Sequence, residues 1–155
     1  MITIRPADGD DRHQLFTLIV TIDNFTAEEK ELAREVIDDG LASAKNGYHI
    51  LVAVDNDNSP VGFTCFGPIP ITVNRWDLYW IAVAPALSRR GVGTRLLRAM
   101  EERLGKGVRV YVDTSATSGY AKARSFYERQ GYEVACVLPD FFRAGDDKVV
   151  YCKDL

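Results

Sequence analysis

The chain has 155 residues, of which 46% are hydrophobic, 26% charged and 10% aromatic, a composition that excludes a disordered chain and supports a single domain over residues 1–155. A net charge of −3 argues against a general nucleic-acid surface. No apolar run approaches the roughly 20 residues of a membrane span, and Met1-Ile2-Thr3-Ile4-Arg5-Pro6 is not a secretion signal, so no membrane partner and a cytoplasmic location are expected.

Ile2 to Arg5 predicts a short strand, stopped by Pro6 and the turn-forming Asp8-Gly9-Asp10-Asp11. A helix follows with Leu15, Leu18, Ile19 and Ile22 on one face, its start marked by Asp11 and Gln14 at capping-box spacing. Thr26 and Glu29 repeat that signal before a second helix, with Leu32, Val36, Ile37, Leu41 and Ala44 as its apolar stripe and Gly47 near its end. Strands are expected at Tyr48 to Val54, Val61 to Phe66 and Asp77 to Ala84, then a helix from Val92 through Leu104, closed by Gly105 and Gly107. Val108, Val110 and Val112 alternate as a strand, Ser118 to Gln130 reads as a helix, and strands near Tyr132 to Leu138 and Lys148 to Lys153 flank a loop from Pro139 to Asp147. The order β-α-α-β-β-β-α-β-α-β-β predicts an α/β fold: a mixed, mostly antiparallel sheet of about seven strands flanked by four helices, with one right-handed crossover between Ala84 and Val108.

Cys65, Cys136 and Cys152 lie far apart among apolar residues and read as buried small hydrophobes; with only His13 and His49 beside them, no metal site is expected. Charge is distributed unevenly. Between Arg89 and Arg109 stand seven basic side chains against two acidic ones, while the remainder holds 12 bases and 20 acids. A basic stretch on an acidic protein fits one phosphate-bearing ligand, although a solvated helix face explains it too.

That stretch contains the run Ile81 to Leu97, which reads strand, turn, helix. Gly91 and Gly93 let backbone approach a ligand, and the first turn of a helix presents unpaired N–H groups at the positive end of its dipole. The run is an anion cradle suited to a diphosphate, with Arg89, Arg90 and Arg95 available for charge-assisted contacts. A dinucleotide fingerprint would need a third glycine after the first strand, and a P-loop would need a lysine before Thr94; neither is present.

The cradle, together with a second motif, Ala123-Arg124-Ser125-Phe126-Tyr127-Glu128-Arg129-Gln130-Gly131-Tyr132, resembles the GNAT superfamily of N-acetyltransferases over nearly the whole chain. The resemblance implies an acetyl-CoA-dependent N-acetyltransferase. Arg89, Arg90, Gly91, Val92, Gly93 and Thr94 would hold the diphosphate. Backbone near Ile81, Ala82 and Val83 would hold the pantetheine arm in a cleft where this strand splays from the next. Ser88 stands where the family usually has arginine or glutamine, and Tyr120 where its second motif usually has asparagine, which makes Tyr120 a further candidate contact. Tyr127 matches the family's general-acid tyrosine; a phenol with a pKa of about 10 stays protonated at neutral pH and can reprotonate a thiolate. Its competing reading is a core residue beside Phe126.

Asp77, four residues before Ile81, is the candidate base if burial beside Trp76, Tyr79 and Trp80 raises its pKa. A strand-start carboxylate or a water relay is the alternative. Direct transfer is expected, since no cysteine has a histidine in a nucleophile pattern. Rival readings are a protein or peptide N-acetyltransferase and a non-catalytic acyl-CoA-binding regulatory module. The acceptor is expected to meet Ile22 to Thr26, Gly67 to Arg75 and Pro139 to Asp147. Asp23, Asp77, Asp140, Asp146 and Asp147 would attract an ammonium, and Phe25, Trp76, Phe141 and Phe142 would wall a compact pocket, which favours a small-molecule amine. Homodimers are common for this fold, and no sequence feature shows one.

Overall fold

Apolar residues along His49–Val54 face both sides of their strand, which requires layers covering both faces of a sheet. The computed structural model describes residues 1–155 and has that architecture. Strand β1 (Thr3–Pro6) leads to α1 (Arg12–Val20) and α2 (Ala27–Ala42). A meander of β2 (His49–Val54), β3 (Pro60–Pro68) and β4 (Arg75–Val83) comes next, then α3 (Val92–Leu104), β5 (Arg109–Ser115), α4 (Ala121–Arg129), β6 (Glu133–Arg143) and β7 (Asp146–Asp154). The strands form one sheet in the order β1-β2-β3-β4-β5-β7-β6. Only the β4–β5 pair, joined through α3, is parallel, so the expected element order and sheet type hold.

Alternation divides the interior into two cores. Leu51 and Ala53 join Val92, Leu96, Leu97 and Met100 of α3 and Tyr127 of α4 on one face. Ile50, Val52 and Val54 join Leu15, Leu18 and Ile19 of α1 and Val36 and Ile37 of α2 on the other.

The register of β4 carries the feature that makes room for a site. Cys65 pairs with Trp80 but Phe66 pairs with Leu78, which leaves Tyr79 as an extra residue. Such a bulge bends its strand and reverses the facing of the residues beyond it. Trp76 and Leu78 therefore face the α3–α4 core, Trp80 and Ala82 face the α1–α2 core, and Ile81 and Val83 return to the α3–α4 side. Pairing between β4 and β5 runs from Arg75↔Arg109 to Leu78↔Val112 and stops there, immediately before the bulge.

Local signals shifted in four places. The capping box at the first helical segment belongs to Asp8 and Asp11, not to Asp11 and Gln14. Asp11 is free for this role because Arg5 clamps its carboxylate from the side at 2.7 and 2.8 Å. Thr26 caps α2 by accepting from the Glu29 N–H, as its spacing predicts, but α2 ends at Ala42 and a separate 3₁₀ turn, Ala44–Asn46, precedes Gly47. The stretch from Ser118 is a 3₁₀ turn, with α4 starting at Ala121. Pro139 to Asp147 is not an open loop: β6 and β7 extend through it as a hairpin turning at Gly145, whose φ is 79°. Cys65 is buried as expected, whereas Cys136 is exposed on β6, a strand on which no helix packs, and Cys152 is intermediate.

Candidate active site

Beyond Leu78 the β5-facing edge of β4 has no strand beside it, and backbone groups there lack the ladder partners that a buried sheet supplies. Ile81, Ala82 and Val83 keep their pairing with β3 on the opposite edge. The opening is a notch in the sheet, walled by β4 and β5 and roofed by α4. Two cavities lie beside it, with Val83 and Phe126 lining one and Ile81 and Tyr127 the other.

The outer cleft, of about 760 Å³, lies over the start of α3 and is lined by Ser88, Arg89, Gly91, Val92, Gly93 and Thr94, among others. Gly91 is the N-cap residue with φ 77° and no side-chain cap. A Cβ there would meet no atom within 4 Å, so the space above it is open to a ligand. The first N–H groups of α3 have no carbonyl one turn earlier to bind. Arg89 also holds a positive φ of 66°, unusual for a non-glycine residue. Arg90 is in the same turn but not in the wall. Arg95 points elsewhere: its Nη2 donates to the Ile2 carbonyl at 2.7 Å, tying α3 to β1. Lys122 and Arg129 of α4 join the wall instead. These two cations stand seven residues apart, two helical turns on one face, a spacing present in the sequence that motif matching does not pick out. An open glycine-capped helix start with Arg89, Lys122 and Arg129 around it fits a diphosphate.

The inner cavity, of about 420 Å³, has Phe25, Trp80, Asp113, Thr114, Tyr120, Tyr127, Phe142 and Asp146 in its wall. Tyr127 is packed edge-on against Phe126 and is close to Tyr132 and Tyr151. Those two tyrosines donate to Glu101 and Glu128, while the Tyr127 hydroxyl has no partner in the protein. Burial raises its pKa well above the usual phenol value, so it remains protonated across the physiological range. Tyr120 lines this inner cavity and not the outer cleft. Its hydroxyl donates to the Glu29 carboxylate at 3.0 Å, a bond that straps α2 to the entrance of α4 and occupies the glutamate that a full capping box would have used.

Asp77 is half-buried on the α1–α2 face, opposite to that of Trp76 and Leu78. Burial raises its pKa, and Asp113 raises it further against the opposing Lys148. Asp77 does not line the inner cavity; Asp113 does, held by Lys148 at 2.8 Å. Of the expected acceptor segments, Asn24, Phe25 and Thr26 line the cavity, as do Phe142, Arg143 and Asp146 from the hairpin, but nothing from Gly67 to Arg75 does. Trp76 packs at a tilt against His49 and Phe66 on the α3–α4 side of the sheet, and Phe141 lies beneath Lys148 with 4.2 Å from its Nζ to the ring centroid; neither is a wall of the pocket.

The acetyltransferase (GNAT) domain matches residues 46–134, more than half the chain, and the chain belongs to this family. Among solved structures, a GNAT-family acetyltransferase from Desulfovibrio desulfuricans is 35% identical, with 99% of each chain covered and a TM-score of 0.93. The ribosomal-protein-S18-alanine N-acetyltransferase of Escherichia coli is 21% identical, with 99% of this chain and 94% of that one covered and a TM-score of 0.76. An aminoglycoside 6'-N-acetyltransferase complexed with coenzyme A is 20% identical, with 98% and 96% covered and a TM-score of 0.75. At these identities the last two share the fold alone. A further likeness, 28% over 74 residues, is to the uncharacterized protein YdhI of Bacillus subtilis (strain 168); the match spans 48% of this chain and about half, 46%, of that protein. No helix is long and apolar enough to cross a membrane.

Proposed function

We propose that this protein transfers an acetyl group from acetyl-CoA directly to the amine of a small cationic molecule, with Tyr127 as general acid. The observation that carries the reading is the unpartnered Tyr127 hydroxyl in the wall of a cavity that lies beside a glycine-capped cationic cleft, the two lined by neighbouring residues of β4 and α4. When bound, acetyl-CoA supplies the activated acyl thioester. The N–H groups of Val92, Gly93 and Thr94, with Arg89, Lys122 and Arg129, hold its diphosphate. The unpaired edge of β4 at Ile81 to Val83 offers hydrogen-bonding groups to the amides of the pantetheine arm, as a missing strand would. Tyr127 Oη then gives its proton to the departing sulfur. The proton lost by the attacking ammonium leaves toward the Asp77–Asp113 pair, where the raised pKa of Asp77 makes it a better acceptor than an ordinary carboxylate.

The acceptor class rests on the inner cavity. Glu28, Glu29, Asp113 and Asp146 outnumber Arg143 in its wall, beside Phe25, Trp80 and Phe142, and acids on apolar walls in a cleft of this size favour a compact cation. A panel of polyamines, amino acids, aminoglycosides and peptides, assayed by thiol release with acetyl-CoA, tests it. Turnover of polyamines or aminoglycosides above peptides is expected, and preference for peptides or carboxylate-rich acceptors overturns the small-molecule assignment. We also propose a homodimer through β6. All eleven of its residues are exposed, with Val134, Val137, Leu138, Phe141 and Phe142 among them, and Glu133 and Arg143 at opposite ends would meet their counterparts across a two-fold axis.

A further inference from the structure

Two fully buried side-chain polar atoms have no hydrogen-bond partner, Arg34 Nε and Thr114 Oγ1. The arginine lies in the outer layer on α2 with its guanidinium over Phe16. Thr114 is different. It is 6% exposed, two residues past the last β4–β5 pair at Val112, and it forms part of the inner cavity wall with Ile81 and Tyr127. Alternation from Val110 and Val112 puts it on the α3–α4 face of the sheet, the side of Tyr127. Its neighbour Ser115, by contrast, donates to Asp146 at 2.6 Å and contacts Thr117.

A buried hydroxyl with neither donor nor acceptor role filled is destabilising, and valine would occupy the same volume without that cost. A hydroxyl bound to nothing else also breaks no bond when it turns to a ligand. In the acyl-transfer reading, the ligand group that comes to this part of the notch, on the side of the proposed acid, is the acyl end of the thioester. We propose that Thr114 is a substrate-binding residue whose hydroxyl donates a hydrogen bond to the carbonyl oxygen of the transferring acyl group. The inference rests on the acyl-transfer reading and adds a residue to it. A donor fixed at a carbonyl that gains negative charge during transfer is worth more in the reaction than at rest.

Thr114→Val and Thr114→Ser, measured by calorimetry with CoA and with acetyl-CoA, test the placement, because CoA lacks the carbonyl. The valine variant is expected to bind CoA as the wild type does and acetyl-CoA roughly 2- to 10-fold more weakly. Its kcat should fall roughly 10²-fold, its Tm should be unchanged or higher, and the serine variant should restore the acetyl-CoA preference. Unchanged affinity for both ligands, a parallel loss of both, or a fall in Tm would each assign the hydroxyl to structure and overturn the proposal. Failure of the wild type to bind CoA at all is a separate result, which defeats the acyl-transfer reading and this inference with it.

Discussion

Tyr127, Tyr132 and Tyr151 cluster, the Tyr132 and Tyr151 ring centroids lying 6.0 and 5.9 Å from that of Tyr127, and what separates them is where each hydroxyl goes. Tyr132 and Tyr151 anchor to carboxylates, so their hydroxyls contribute to the fold; the Tyr127 hydroxyl bonds to nothing in the protein. Tyr127→Phe should therefore leave the Tm unchanged or slightly higher while lowering kcat by roughly 10²- to 10⁴-fold, with acetyl-CoA affinity retained. Thermal melts beside initial rates check this, and unaltered turnover would return Tyr127 to the core. Asp77 makes a similar contrast through its charge. Burial and Asp113 raise its folded-state pKa, so the folded protein holds that proton more tightly than the unfolded chain. The resulting penalty is absent below the unfolded value of about 3.9, grows as pH rises toward the folded value, and is complete above it. Asp77→Asn is expected to raise the Tm by a few °C at most at pH 7, with the gain shrinking toward pH 4, while activity falls. A gain independent of pH would remove the electrostatic explanation.

At the scale of elements, the entrance of α3 and the β3–β4 ladder depend on glycines for different reasons. Gly91 needs its left-handed φ of 77°, and the open space above it is the proposed diphosphate seat. Gly91→Val should cost CoA binding at least tenfold by calorimetry while the circular dichroism of the fold persists; retained affinity would move the seat elsewhere. Gly67 has ordinary strand geometry, but a Cβ there would run into the carbonyl oxygen of Gly47. That carbonyl is backbone and cannot swing aside, so Gly67→Ala should lower the Tm by roughly 4–10 °C through strain. Both glycines are visible in the sequence. Gly91 is interpretable from its place before a helix, whereas the need at Gly67 depends on a residue twenty positions away and carries no local signal.

For the molecule as a whole, the edges of the sheet differ. β1 is a four-residue edge strand, whereas β6 is eleven residues long and exposed throughout, which is the kind of edge that proteins usually blunt or cover. If a second copy covers it, Leu138→Glu sets two like charges against each other at the middle of the strand. Light scattering should then show a dimer for the wild type and a monomer for the variant, with CoA binding retained, since Leu138 lines neither cavity. A wild-type monomer at micromolar concentration would remove the dimer.

The sequence determined the element order, the parallel crossover and the glycine cradle, because period-2 and period-3.6 patterns, caps and glycine turns are local properties read within a few residues. It also placed Tyr127 and Tyr120 on the segment that forms the inner wall. Only tertiary structure decided which hydroxyls are already bonded: Tyr120 to Glu29, ninety-one positions away, and Thr114 and Tyr127 to nothing. It alone brought Lys122 and Arg129 to the cradle and took Arg95 away to Ile2. It also converted the expected loop at Pro139 to Asp147 into a hairpin. The reason is the same in each case. Hydrogen-bond satisfaction, side-chain direction and strand length are settled by partners distant in the chain, and a one-residue bulge at Tyr79 is enough to reverse the facing of everything beyond it.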